Sequence, residues 1–155
     1  GTSFIVVLDV EKSTKELKEE KKELLNAEEI NYLRILIVED HPVNQILVTS
    51  MLDNWGCEYE LVENGQEAVN CLKNSGDFDI VLMDIQMPVM DGVTATKEIR
   101  KLENHKVSKI PIVALTANAI KGENVRYREA GMDGYLSKPF KPVDLFRTLL
   151  KVYNQ

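Results

Sequence analysis

Apolar residues follow two rhythms along this chain. Short unbroken apolar runs alternate with longer stretches in which apolar positions recur every three or four residues. The first rhythm predicts strands buried on both faces and the second predicts amphipathic helices. The run Ile80-Val81-Leu82-Met83 leads straight into Asp84, and Pro88 and Gly92 follow within the next eight residues. A buried strand with Asp84 at its carboxyl end is expected, followed by a loop that Pro88 and Gly92 keep from continuing as regular structure. An acid in that position serves as readily to cap the next helix as to do chemistry. What else reaches the same edge decides between the two.

The remaining pattern supplies the other elements. Arg34 to Val38 reads as a strand ending in Glu39-Asp40, and Pro42 stands just inside a helix start. Val43, Ile46, Leu47, Ser50, Met51 and Asn54 carry helical spacing up to Gly56. Cys57 to Val62 alternates as a strand, and Asn64 caps a helix through Ala68, Val69 and Leu72 that ends near Gly76. After the central strand, Val93, Ala95, Thr96, Ile99 and Leu102 share a helix. Ile110 to Thr116 is a buried strand with Pro111 at its entry, and a helix over about 121–130 stops at Gly131. Gly134 to Ser137 is a short fifth strand ending at Lys138-Pro139, and Pro142 opens a last helix with Leu145, Phe146, Leu149, Leu150 and Val152.

Five strand–helix alternations with short connections imply a parallel sheet with right-handed crossovers. The expected fold is α/β, a flavodoxin-like (βα)5 three-layer sandwich with strand order 2-1-3-4-5. In such sheets a site forms at the carboxyl edge beside the switch in strand order, between strands 1 and 3.

The first thirty-two residues have a different character. Residues 1–10 are strand-like and β-branched, without a neighbour to pair with, as if they closed a preceding domain. The chain opens on Gly1 and reads as a piece of something longer. Residues 11–32 alternate Lys and Glu, with Ser13 and Glu16 at capping-box spacing, and read as a solvated helical linker. Leu17, Leu24 and Leu25 are too few for a long coiled coil, which leaves the oligomeric state open. Residues 33–155 form the main domain.

Composition narrows the function. A net charge of −6 argues against a nucleic-acid surface. Cys57 and Cys71 have no zinc-type spacing and read as buried thiols in a reducing compartment. No apolar run reaches membrane-spanning length, so no direct membrane contact is expected. A cytoplasmic location follows, either free or as the cytoplasmic part of a membrane-anchored protein.

The topology then gathers chemistry. Strand 1 delivers Glu39 and Asp40, strand 3 Asp84, strand 4 Thr116 and strand 5 Lys138. Three crowded carboxylates repel unless a cation sits among them, and an all-oxygen set suits Mg²⁺, with Mn²⁺ as the alternative. Lys138 and the Thr116 hydroxyl can each meet a phosphoryl oxygen. These groups describe a carboxylate that accepts a phosphoryl group.

Glu39-Asp40, the run Met83-Asp84-Ile85-Gln86-Met87-Pro88-Val89-Met90-Asp91-Gly92, Leu115-Thr116-Ala117 and Lys138-Pro139 together resemble the receiver domain of two-component signalling. The resemblance spans residues 33–153. It implies that Asp84 is the phosphoacceptor and that Glu39, Asp40 and the main-chain carbonyl of Gln86 help to hold Mg²⁺. It further implies that Thr116 and Lys138 contact the phosphoryl group and that Tyr135 is the aromatic switch. Gln86, Ala117 and Asn118 would flank the phosphoryl position. Glu39-Asp40-His41-Pro42-Val43-Asn44 and Leu115-Thr116-Ala117-Asn118-Ala119 are similar to receivers fused to hybrid sensor histidine kinases. The opening Gly1-Thr2-Ser3-Phe4 resembles the last strand of kinase ATP-binding domains. The implied partners are a kinase phosphohistidine, a histidine phosphotransfer protein, or both. In that setting the parent protein is a phosphotransferase, and the receiver catalyses its own phosphorylation and dephosphorylation.

Several residues carry plainer expectations. Asp91 reads as a loop or helix-cap acid, His41 as a residue at a helix start, and Trp55, Met83, Met87 and Met90 as packing. His105 has no assigned chemistry. A phosphatase of the haloacid dehalogenase type would need an acid where Gln86 stands, and no Gly-x-Gly-x-x-Gly follows strand 1. A receiver-like interaction module that is never phosphorylated is the remaining alternative.

Overall fold

From Arg34 onward, each apolar run forms a strand in the computed structural model, which describes residues 27–118, 120 and 122–155. The expectations for residues 1–26 lie outside the described residues. The strands are β1 (Arg34–Val38), β2 (Glu58–Val62), β3 (Ile80–Asp84), β4 (Ile112–Thr116) and β5 (Gly134–Ser137). They form one parallel sheet in the order β2-β1-β3-β4-β5, as the alternation predicts. The helices are α1 (Pro42–Trp55), α2 (Gly65–Ser75), α3 (Gly92–Arg100), α4 (His105–Ser108), α5 (Glu123–Ala130) and α6 (Pro142–Tyr153).

Because side chains alternate along a strand, the sheet feeds two cores. Leu36, Val38, Val81, Met83, Ile112 and Ala114 pack on α2, α3 and α5. Ile35, Ile37, Leu82, Val113 and Leu115 pack on α1 and α6. Every residue of β3 and β4 is buried, which explains their unbroken apolar runs, whereas β2 lies at an edge and is partly exposed. Asn64 and Asp91 cap α2 and α3, their side-chain oxygens accepting from the N–H of Glu67 at 2.9 Å and of Thr94 at 2.7 Å. Gly56 and Gly131 close α1 and α5 in the left-handed region, where a Cβ would be penalised.

Three features depart from the sequence pattern. The face that α1 buries is Val48, Leu52 and Trp55, while Val43, Ile46 and Leu47 are exposed. Trp55 sets this rotation, meeting Phe146 of α6 edge-on with ring centroids 5.4 Å apart. A single helical turn, α4, follows Asn104, whose side chain accepts from the N–H of Lys106 at 3.0 Å, and it buries Val107. One turn is too short to leave a periodic signal. At the amino-terminal side, Ala27–Glu29 forms a 3-10 turn, and Ile30 and Leu33 are completely buried. The packed unit therefore reaches back to Ala27, into the stretch read as linker. Cys57 donates to the Ile30 carbonyl at 3.2 Å, and burial pushes its thiol up to about 11, so it packs and does not react.

Candidate functional site

Strand order brings the acids together. β1 and β3 are neighbours, and the pairing of Val38 with Met83 sets the next residues, Glu39 and Asp84, side by side at the carboxyl edge. β4 lies against β3 on the other side, with Leu115 opposite Asp84, so Thr116 arrives at the same edge. The N–H of Lys138 donates to the Thr116 carbonyl at 2.7 Å, which ties the end of β5 to that of β4. The Lys138–Pro139 peptide is cis. A cleft of about 360 Å³ opens there, lined by Glu39, Asp40, Asp84, Thr116 and Lys138, with Gln86, Ala117 and Asn118 on its rim.

Glu39 is completely buried, so its charge must be satisfied from within. One carboxylate oxygen accepts from the main-chain N–H of His41 at 3.1 Å and the Asn44 amide at 3.5 Å. The other accepts from the Lys138 ammonium at 2.7 Å. That ammonium also lies 3.2 Å from Asp84 Oδ1. One lysine thus serves two carboxylates, and Asp40 adds a third. Burial, reinforced by the charge of Glu39 and opposed by Lys138, raises the Asp84 carboxyl to about 6.

Oxygen atoms of Glu39, Asp40 and Asp84 lie within 4.8 Å of one another. The set is all carboxylate, with no thiol or imidazole among it, which suits a hard divalent cation such as Mg²⁺. His41 does not join this set; its Nδ1 accepts from the N–H of Val43 at 3.3 Å as the cap of α1.

The raised Asp84 group has a consequence for stability. Its folded value lies above the ordinary 3.8, so the folded chain holds this proton more tightly than the unfolded chain. Stability therefore falls as pH rises from about 4 to 6, and the penalty is fully present above 6. Asp84→Asn removes it. Without divalent metal, this variant is expected to be more stable by roughly 1–3 kcal/mol at pH 7.5 and nearly equal at pH 4, checked by denaturant titration at both values. Millimolar Mg²⁺ is expected to raise the stability of the unsubstituted protein more than that of the variant.

Tyr135, expected as a switch, does not line this cleft. It is 47% exposed on β5, beside a groove shared with Tyr127, Thr148 and Lys151. Two contributors escaped the sequence reading. Asn44 supports Glu39, and Tyr127 of α5 donates from its hydroxyl to Thr116 Oγ1 at 3.0 Å. The only sequence signal for Tyr127 was one large ring, three residues before Ala130, in an otherwise polar helix.

Residues 35–150 match the family described as "Response regulator receiver domain". The chain is 45% identical over 119 residues to the sensor protein GacS of Pseudomonas syringae pv. syringae. That match takes in 76% of this chain but only 13% of GacS. The crystal structure of the receiver domain of sensor histidine kinase PA1611 from Pseudomonas aeruginosa PAO1 superposes with a TM-score of 0.73 at 43% identity. It covers 80% of this chain and 99% of that one, and carries a magnesium ion in its active-site cleft. The receiver domain of Ssk1, co-crystallised with the histidine phosphotransfer protein Ypd1 of Saccharomyces cerevisiae, gives 0.72 at 33% identity, over 79% of this chain and 90% of that one. Among the described residues, no helix is long and apolar enough to cross a membrane. With five strands in the expected order and a family match across most of its length, the chain belongs to the response regulator receiver domain family.

Proposed function

We propose that this receiver takes a phosphoryl group from phosphohistidine onto Asp84 and changes conformation in response, as one domain of a hybrid sensor histidine kinase in a phosphorelay. The observation that carries this reading is the shared lysine: Lys138 reaches both Glu39 and Asp84, beside a third acid, in a cleft open to a donor.

Asp84 attacks as the carboxylate. A P–O bond forms at one of its oxygens while the P–N bond of the donor breaks and leaves its electron pair on the imidazole. Glu39, Asp40, Asp84 and the main-chain carbonyl of Gln86 would hold Mg²⁺, and Mn²⁺ would satisfy the same donors. When bound, the cation offsets the negative charge of the phosphoryl oxygens. Lys138 turns from Glu39 toward one phosphoryl oxygen and the Thr116 hydroxyl turns toward another. Gln86, Ala117 and Asn118 border the product and govern how water reaches it. The movement of Thr116 makes room for Tyr135 to turn from solvent toward the core, which biases a two-state equilibrium.

The donor docks over α1 and the loop after β5. Val43, Ile46 and Leu47 expose apolar surface, and an adjoining hollow of about 300 Å³ is lined by Leu47, Met51, Pro139 and Phe140 beside Lys138. The phosphohistidine belongs to a kinase, to a histidine phosphotransfer protein, or to both in turn. The receiver–phosphotransfer pairing of Ssk1 and Ypd1 supports the second. A cytoplasmic setting fits this reading, since Mg²⁺ is available there and Cys57 and Cys71 stay free thiols in a reducing compartment.

Intact-mass measurement after incubation with acetyl phosphate tests the reading. A gain of one phosphoryl group is expected with Mg²⁺, and none with chelator or in Asp84→Asn. No gain with acetyl phosphate or with a phosphorylated kinase domain would instead favour a phosphorylation-independent interaction module.

A further inference from the structure

The Thr116 hydroxyl has one proton to give and two lone pairs to fill. All three are spent away from Asp84. Thr116 Oγ1 donates to the Asn118 carbonyl at 3.1 Å and accepts from the Asn118 N–H at 3.1 Å. Its remaining lone pair takes the Tyr127 hydroxyl at 3.0 Å. With the Thr116 proton already committed to Asn118, Tyr127 can only be the donor.

Tyr127 is 3% exposed, and Tyr127 and Ala130 are the two buried residues of α5. Its ring fixes this helix to the sheet and its hydroxyl fixes Thr116. For Thr116 to offer a proton to a phosphoryl oxygen on Asp84, it must release the Asn118 carbonyl and rotate Oγ1. That rotation strands the Tyr127 hydroxyl in the core without its acceptor, at the cost of an unpaired buried donor, unless α5 travels with it.

We propose that the Tyr127 hydroxyl is a latch that holds Thr116 in the resting position and couples its release to α5. This rests on the assignment of Asp84 as phosphoacceptor and of Thr116 as a phosphoryl contact. Tyr127 is a positioning residue, since it acts through Thr116 and touches no reacting atom. A tyrosine that merely fills the core would set stability without altering the response to a phosphoryl analogue.

Tyr127→Phe separates the two roles, because it keeps the ring and deletes only the hydroxyl. The readout is the affinity for beryllofluoride, an acyl-phosphate analogue, measured with Mg²⁺ on the unsubstituted protein and the variant. Loss of one hydrogen bond from the resting state alone predicts tighter binding by roughly two- to twelvefold in the variant. Unchanged or weaker binding overturns the latch. A second readout uses the unsubstituted chain labelled with 3-fluorotyrosine and does not depend on the variant folding. Tyr127 is the one buried tyrosine of the five, so its fluorine signal is the one shielded from a soluble paramagnet. That signal is expected to shift when beryllofluoride binds, and a stationary signal also overturns the latch. If the unsubstituted protein binds no beryllofluoride and gains no phosphoryl group, the phosphoacceptor reading fails and the latch falls with it. A protein that binds normally while Tyr127→Phe makes no difference loses the latch alone.

Discussion

Gly92→Ala is expected to lose at least about 3 kcal/mol of stability and to slow phosphorylation of Asp84 by roughly a hundredfold. Gly92 opens α3, and its N–H donates to the Ile85 carbonyl at 3.0 Å. A Cβ there would lie 2.2 Å from the main-chain carbonyl oxygen of Asp84, 3.0 Å from its carbonyl carbon and 2.9 Å from Met83 Cγ. Two of these atoms are backbone and cannot swing aside. The clash is relieved only by pushing α3 away from the sheet or by moving the end of β3 that carries Asp84. The first opens the core around Val93, Ala95 and Ile99, and the second shifts the Asp84 carboxylate against Glu39 and Lys138. Thermal unfolding is expected to show a midpoint about 10 °C lower. The rate of mass gain from acetyl phosphate, measured well below that midpoint, checks the second effect. Near-normal kinetics in a destabilised variant would mean that α3 gives way and β3 holds.

Sequence pattern marks Gly92 as a breaker of regular structure, which is only part of its role. Sequence pattern reports what a residue does to its own backbone, whereas the approach of Gly92 to Asp84 comes from packing a helix start on a strand end. The same division runs through the molecule. Strands β3 and β4 were legible because burial on both faces demands an uninterrupted apolar run. Their order followed from chain connectivity, and with it the meeting of Glu39, Asp84, Thr116 and Lys138. The face of α1 was not legible. Val43, Ile46 and Leu47 stand at i, i+3 and i+4, and Val48, Leu52 and Trp55 at i, i+4 and i+7; both are helical spacings, and the contact of Trp55 with Phe146 goes with the second. Tyr127 was equally opaque, since a ring in a polar helix does not announce that its hydroxyl meets Thr116.

Arg100 belongs with what the sequence hides, and its removal gives the second large effect. It ends α3 at the edge of the sheet opposite Asp84, in the last turn, where a cation suits the helix dipole. Its guanidinium uses the whole fork. Nε and Nη2 donate to the Gly131 carbonyl at 2.9 and 2.6 Å, and Nη1 donates to the carbonyls of Ser108 and Ile110 at 2.9 and 2.8 Å. Nη2 also meets Asp133 at 3.0 Å, and the same Asp133 oxygen accepts from the N–H of Ile112, the first residue of β4. Burial pulls the guanidinium below its ordinary value, and Asp133 partly offsets this. One side chain thus binds the end of α3 to α4, the end of α5 and the entries to β4 and β5. Arg100→Ala strands three carbonyls and the Asp133 carboxylate together, which costs about 2–4 kcal/mol once the partial exposure of the pair is discounted. Arg100→Lys is expected to recover less than half of that, because a point charge cannot serve four acceptors in a plane. Denaturant titration of both variants measures the loss. Phosphorylation of Asp84, assayed where each variant is fully folded, is expected to stay within about twofold of the unsubstituted rate, since the staple and the site lie at opposite ends of the strands. A larger change would mean that strain at the entry of β4 reaches Thr116 along the strand, and the two ends of the sheet would then have to be treated as one coupled unit.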